Sequence, residues 1–321
     1  MAILEECKKV DAALNAYAYP GYDAQTEKKS LLNQFAAAGE LLRHRDTSAI
    51  PAVAVRREAV DRLLKQGVSS WCPAIVQSLS GDTFDECLLE RCLDNVRKDS
   101  SPGYPFLRLA PTNGEILLRY RSELKRAVKS RLQSYFDYTA EEVFAMKPMD
   151  LVTNNLVDPV AIFVKGEPHK MEKLETNRQR LIYSVSIVDQ IVASLLFTSQ
   201  NSREIENHHC IHSAGGIGFH DEGLSTTHHR IASMRIAAEK AGHVLFDSDA
   251  QGWDMSVPYW LMMDDVYRRT RSISLLPGAH PHTAKRFAWM AFVHHHCMAN
   301  SVIVASDGAV YSQTIPGKMK S

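Results

Sequence analysis

The stretch that most constrains the fold is His243-Val-Leu-Phe-Asp-Ser-Asp-Ala-Gln-Gly-Trp-Asp-Met-Ser-Val257. Its apolar opening reads as a short buried strand over 244–249, carrying Asp247 and Asp249 at its end. A glycine turn follows, and Asp254 stands five residues beyond Asp249, ahead of an amphipathic helix expected over 258–273. Strand, acidic turn and helix is a layout that presents hard oxygen ligands to Mg²⁺ at the end of a sheet. Alone, the same residues also make an ordinary turn with Asp254 near a helix cap, since short motifs match often by chance. The rest of the chain decides between the two.

A second feature lies between two strand patterns. Residues 158–165 alternate and then run apolar, and 181–185 do so again. Between them comes Lys165-Gly-Glu-Pro-His-Lys-Met-Glu-Lys-Leu-Glu-Thr-Asn-Arg-Gln-Arg180. Lys165, Lys170, Lys173, Arg178 and Arg180 are therefore concentrated on a loop. Arginine offers phosphate a bidentate fork and lysine a mobile point charge, so such a loop suits a triphosphate. Glu167 is placed to orient one of these cations. A solvated basic hairpin is the plain alternative.

Helical spacing covers 26–43 and 52–66, the second with Pro51 at its start. Thr83-Phe-Asp-Glu86 is a capping box for a helix to about Lys98, and Thr139-Ala-Glu-Glu142 is another. Pro73 marks a weak subdomain boundary. Ser100-Ser-Pro-Gly-Tyr-Pro-Phe106 then makes a stiff, extended turn. A basic helix is expected over 115–136, carrying Arg119, Arg121, Lys125, Arg126, Lys129 and Arg131. Charge runs on helices are usually solvated faces. Further helices are expected over 186–200, capped by Ser186, and over 225–240 and 283–297. A hairpin is expected around Ser306-Asp-Gly308. The glycine loop Ser213-Ala-Gly-Gly-Ile-Gly-Phe219 lacks phosphate-loop spacing and a preceding strand.

Lysine plus arginine equals aspartate plus glutamate, at 37 each, so any polyanion site must be a local basic track. The six cysteines have no pairing rhythm, which suits a reducing compartment. The N-terminus is too charged for a signal peptide, and the most apolar window, 181–197, is interrupted by Asp189 and Gln190. These features point to a soluble intracellular protein without a membrane span. His208, His209, Cys210 and His212, with His294, His295, His296 and Cys297, contain the makings of a Cys₂His₂ zinc site, but their spacing matches no zinc finger.

Taken in order, these pieces resemble a viral RNA-dependent RNA polymerase of the positive-strand sobemovirus, polerovirus and barnavirus type, over residues 100–321. Ser100-Ser-Pro-Gly-Tyr-Pro105 is similar to the fingers loop that receives the template, which implies RNA-binding roles for Ser100, Ser101, Gly103, Tyr104 and Pro105. The run from Phe163-Val-Lys165 through Arg178-Gln-Arg180 to Val185-Ser-Ile-Val-Asp-Gln190 is similar to the basic fingers motif. Asp249-Ala-Gln-Gly-Trp-Asp254 resembles the first carboxylate motif of the palm, and Gly317-Lys-Met-Lys-Ser321 the start of the next. Four motifs in the right order are specific where each alone is weak.

The resemblance implies an α+β right-hand polymerase fold, helix-rich. Residues 1–99 become a helical N-terminal fingers region, 100–242 the fingers, and 243–321 the opening of the palm. The Gly-Asp-Asp hairpin and the thumb are not in the sequence, so an incomplete chain is expected. The implied activity is RNA-directed RNA synthesis that replicates and transcribes a viral genome by two-metal phosphoryl transfer. Mg²⁺ is the implied ion, with Mn²⁺ as a substitute, and Asp249 its ligand. Asp254 and Ser321 would read the ribose 2′-hydroxyl, while Lys165, Glu167, Lys173, Arg178 and Arg180 serve the nucleotide. The partners implied are template and nascent RNA, nucleoside triphosphates and other viral replication proteins, in a membrane-associated complex of the host cytoplasm. The competing expectation is a catalytically inactive, RNA-binding polymerase fragment, its RNA held weakly and without sequence preference by a basic track of Arg119 to Arg131 and Lys165 to Arg180.

Overall fold

The computed structural model describes residues 1–43, 50–65, 86–206, 220–246, 257–274, 281–314 and 317. Helix α1 spans Ala2–Val10, and a two-residue strand β1, Tyr17–Ala18, follows. Helix α2, Ala24–Arg43, starts where Asp23 Oδ1 accepts the Thr26 N–H at 2.8 Å, satisfying a donor the first turn cannot pair. Helix α3 is Val53–Lys65 and α4 is Glu86–Asp94. The chain leaves α4 early because it joins the start of the next helix, Lys98 and Ser100 carbonyls accepting the Gly114 and Asn113 N–H groups at 2.9 Å each.

The single helix expected over 115–136 is two, α5 at Asn113–Arg119 and α6 at Arg121–Ser134. Tyr120 breaks it with φ −131° and ψ 26°, and its ring packs against the core. The capping box at Thr139 is present and starts α7, Ala140–Ala145, followed by α8, Pro148–Thr153.

Strand β2, Val160–Val164, is next, then β3, His169–Lys170, with helix α9, Met171–Glu175, inside the basic loop. Strand β4 is Leu181–Ser184, and α10 is Ile187–Glu206, capped by Ser186 Oγ on the Val188 N–H at 3.1 Å. Helices α11, Asp221–Lys240, α12, Tyr259–Ser274, and α13, Pro281–Ala299, lead to strands β5, Val302–Val304, and β6, Val310–Ser312.

One sheet has the order β4-β2-β5-β6, with β2 and β5 parallel and the other pairs antiparallel. A two-stranded ladder joins β1 to β3. Leu31, Phe35 and Ala38 of α2 cover a sheet face made of Val160, Ile162, Tyr183, Ile303 and Ala305. The larger core gathers Leu89 and Leu93, Leu124 and Val128, Ile191 and Leu195, and Phe287 and Met290 from four helices. Fully burying one such side chain contributes about 1.5–3 kcal/mol, more than any single helix propensity.

A buried ion network ties this core to the sheet. Arg131 of α6 is paired with Asp189 of α10, and its Nη2 meets Asp158 Oδ1, just before β2, at 2.8 Å. Asp158 N–H donates to Asp189 Oδ2 at 2.9 Å, and Ser186 Oγ donates to Asp158 Oδ2 at 2.6 Å. Burial works against the Arg131 charge, and the carboxylates of Asp189 and Asp158 outweigh it, so the guanidinium is held charged. The expected buried strand over 244–249 does not form as far as it is described. Residues 243–246 enter neither sheet, and Val244 and Phe246 are exposed, because an apolar run supplies side chains to bury but no ladder partner.

Candidate functional site

The basic loop 165–180 closes the antiparallel pair β2–β4, whose last matched residues are Val164 and Leu181. Lys165 N–H donates to the Arg180 carbonyl at 2.9 Å, continuing the ladder by one step. His169 then rivets the loop from inside and is buried. Its Nε2 accepts the Arg180 N–H at 2.9 Å, so that nitrogen carries no proton. Nδ1 therefore carries it and donates to the Glu167 carbonyl at 2.8 Å. Burial lowers the affinity of this imidazole for a second proton.

Glu167 sits between two of the cations. Lys165 Nζ lies 2.8 Å from one carboxylate oxygen and Arg180 Nη1 2.9 Å from the other. The Lys165 hydrogen bond, with Arg180, holds the Glu167 carboxyl below its usual range. Among the described residues no acidic side chain pairs with Lys170, Lys173 or Arg178. Arg178 is aimed by its backbone, whose N–H donates to the Lys173 carbonyl at 2.7 Å after Asn177 turns at φ +50°.

The N-terminal segment braces this loop, which no sequence signal announced. Strand β1 pairs with β3 in the register Tyr17 to Lys170 and Ala18 to His169. From α2, Ser30 hydrogen-bonds the Gln179 side chain, Gln34 Nε2 donates to the Gln179 carbonyl at 2.8 Å, and Asn33 Nδ2 to the Thr176 carbonyl at 3.0 Å. A cavity of roughly 210 Å³ opens between brace and loop.

The turn at Ser100 to Phe106 docks on the far end of β4. Pro102 carbonyl accepts the Ile187 N–H at 2.7 Å, and the Tyr104–Pro105 peptide is cis. Gly103 has φ +62°, and a Cβ there would lie 2.9 Å from backbone atoms of Val185 and Ser186. Only glycine permits so close an approach. Ser101 Oγ accepts the Gly103 N–H at 3.3 Å, while Tyr104 is half-buried with Arg108 over its ring and Pro105 is exposed. Ser100 to Pro105 and the basic loop thus lie at opposite ends of β4.

The basic helix is a correction. Arg121 bonds Glu90 and, at 2.8 Å, Asp94; Lys125 pairs with Glu90 and Lys129 with Glu86. Arg119 and Arg126 have Glu115 and Glu123 within 3.7 Å, and Arg131 is buried. Acidic side chains of α4 and of the helices themselves neutralise the row, so it is not an open cationic track.

Asp247, Asp249, Asp254 and Ser321 lie outside the described residues, as do Pro73, the capping box at Thr83, the glycine loop 213–219, and His208, His209, Cys210 and His212. The remaining histidines occupy successive directions around α13. His294 meets Phe197 and Tyr135, His295 Nδ1 donates to the Ala291 carbonyl at 2.9 Å, and His296 bonds the Tyr259 hydroxyl at 2.8 Å. Burial pushes the His294 ring down to about 3 and raises the Cys297 thiol. Among the described residues no three metal-ligating side chains converge.

Comparison with known proteins gives a consistent set of relatives. The family described as viral RNA-directed RNA-polymerase matches residues 91–321. The chain is 34% identical over 223 residues to the RNA-directed RNA polymerase of Mushroom bacilliform virus, covering 70% of this chain and 50% of that protein. It is 32% identical to Protein P1-P2 of Pea enation mosaic virus-1, covering 97% of this chain and 26% of the relative. With the Replicase polyprotein P2AB of Southern cowpea mosaic virus the identity is 34%, over 74% of this chain and 23% of that one. The chain thus spans half or less of the length of these relatives. Among solved structures, the Sicinivirus 3Dpol RNA dependent RNA polymerase aligns with a TM-score of 0.44 and 15% identity, over 82% of this chain and 52% of that one.

Proposed function

Because this chain belongs to the viral RNA-directed RNA polymerase family, we propose that it supplies the fingers and the opening of the palm to an enzyme that copies RNA from RNA. What supports the reading is the loop 165–180, where five cations share one short segment and three of them have no acidic partner among the described residues. A nucleoside triphosphate carries more negative charge than Glu167. At 4 Å a single charge pair near a protein surface is worth about 4 kcal/mol. Lys165 and Arg180 are thus parked on Glu167 and transfer to the triphosphate when it arrives, joined by Lys173 and Arg178. Neutralising the β- and γ-phosphates also makes pyrophosphate a better leaving group.

Asp249 would hold the metal, and carboxylate oxygens are the donor type that Mg²⁺ and Mn²⁺ prefer. Bound there, the ions would supply charge stabilisation to the phosphoryl transfer. Asp254 with Ser321 reads the 2′-hydroxyl, the group that separates ribonucleotides from deoxyribonucleotides. Ser100, Ser101, Gly103, Tyr104 and Pro105 border the template path, fixed by Pro102 and Gly103 against the β4–α10 junction. Residues 100–242 then act as fingers and 243–321 as the start of the palm, with 1–99 buttressing the fingers. RNA, nucleotides and other viral replication proteins are the partners of this reading, in a membrane-associated complex of the host cytoplasm.

The test is Asp249→Asn in the full-length enzyme. Incorporation should fall by several powers of ten while template binding and the thermal midpoint stay put. Near-normal incorporation would remove Asp249 from the metal site.

A further inference from the structure

The cavity between the N-terminal brace and the basic loop is lined by Tyr17, Pro168, His169, Lys170, Lys173 and Arg180. Among the described residues no acidic side chain lines it. Its volume, roughly 210 Å³, is several times the about 30 Å³ that one water takes up in the liquid. It is also smaller than the about 300–1,000 Å³ of pockets that enclose drug-sized molecules. Space of that size and sign fits one or two phosphate groups.

Its donors can be enumerated. Lys170 and Lys173 carry no acidic partner among the described residues, and Arg180 keeps part of its fork beyond the one contact to Glu167. His169 has both ring nitrogens engaged in the loop and serves only as wall. Tyr17 is placed beside Lys170 by the β1–β3 register and is half-buried. Tyr17 is one of the residues that line this cationic cavity, and its hydroxyl makes no hydrogen bond among the described residues, which leaves its O–H donor unused.

We propose that Tyr17 is a phosphate-contacting residue, its hydroxyl donating to the polyphosphate that Lys170, Lys173 and Arg180 draw into this cavity. The inference rests on the reading of loop 165–180 as the nucleotide loop, and it extends the site to a segment that precedes the family match at residue 91. The ligand is the phosphate end of a nucleoside triphosphate or the pyrophosphate released from it, which share the same chemistry.

The experiment compares Tyr17→Phe and Arg180→Ala in the full-length polymerase, measuring KM and kcat for each of four nucleotides and inhibition by inorganic pyrophosphate. Tyr17→Phe keeps the ring and the strand pairing and removes only the donor. A hydrogen bond to a charged group lost at this site should raise KM about tenfold, alike for all four nucleotides, with kcat and thermal midpoint unchanged. If pyrophosphate inhibition weakens and nucleotide KM does not move, the cavity holds the released product; if both move, it holds the incoming triphosphate. Either outcome supports Tyr17. If Arg180→Ala raises KM and Tyr17→Phe alters neither quantity, the Tyr17 proposal is overturned and the nucleotide loop stands. If neither variant has an effect, the nucleotide loop falls and takes the proposal with it.

Discussion

His169 and Arg180 are bound ring to backbone: Nε2 of the imidazole accepts the Arg180 N–H at 2.9 Å, and this one bond decides where the arginine fork starts. An imidazolium cannot accept that bond. The charged groups facing the ring are Glu167, Lys173 and Arg180, and burial outweighs Glu167 to lower the pKa of the imidazole. The sign follows from the two states. Unfolded, the ring titrates near 6.5; folded, it titrates lower. The stabilisation is therefore complete above the ordinary histidine range and is lost as pH falls through the lowered folded value. Nucleotide KM should rise on the acid side in the wild type. Amide exchange at Arg180 should speed up over the same window. His169→Gln should show neither pH step, and a step of wild-type size in that variant would sink the assignment.

Arg131 with Asp189 is a structural pair, not an RNA contact. Both side chains are almost fully buried, at 2% and 1% exposure. Asp189→Ala should leave the buried guanidinium with Asp158 as its one remaining carboxylate among the described residues, strip the Asp158 N–H of its acceptor, and cost up to about 3–5 kcal/mol. Denaturant unfolding measures it directly. A loss under about 1 kcal/mol, the usual ceiling for an exposed pair, would show that water reaches the network.

Gly103→Ala should loosen the turn that carries Ser101 and Tyr104. The new Cβ meets backbone of Ser186 and Val185 at 2.9 Å, and backbone cannot rotate away as a side chain can. The left-handed φ of +62° adds roughly 1–2 kcal/mol for any residue with a Cβ. Both stability and limited proteolysis at 100–106 should report the change. Wild-type values in both would mean the turn is free of the β4–α10 junction.

The helices were largely legible because each carries its own signal: apolar spacing for α2 and α3, the box at Thr139 for α7, the cap at Ser186 for α10. The basic loop was legible because strand patterns bracket it. The break at Tyr120 was not, since no glycine or proline marks it and the cause is packing against the core. The brace was invisible for another reason. Tyr17 and Lys170 are far apart in sequence, their ladder is two residues long, and Ser30 and Gln34 read on α2 as an ordinary polar face. Long-range pairing of polar groups leaves no local pattern. The acidic turn at Asp249 was read from sequence alone, and it lies outside the described residues.

The same blindness to partners misassigned the cations of α6, and that yields a last prediction. Glu86 and Glu90 are one helical turn apart on α4, and Lys125 and Lys129 one turn apart on α6, so the two rows meet residue for residue. A lysine already paired gains little from a phosphate, because it must give up its carboxylate and leave that charge facing the RNA. Lys125→Gln with Lys129→Gln should therefore leave RNA affinity and its salt dependence unchanged. Stability should drop by no more than about 1 kcal/mol per pair, the upper end for exposed ion pairs. Single-stranded RNA binding titrated across salt concentrations decides it. Each true phosphate contact contributes about 0.7 to the slope of log affinity against log salt. A fall of about 1.4 in that slope, two contacts' worth, would return α6 to the RNA path. An unchanged slope confines the phosphate-binding surface on these elements to the loop between β2 and β4.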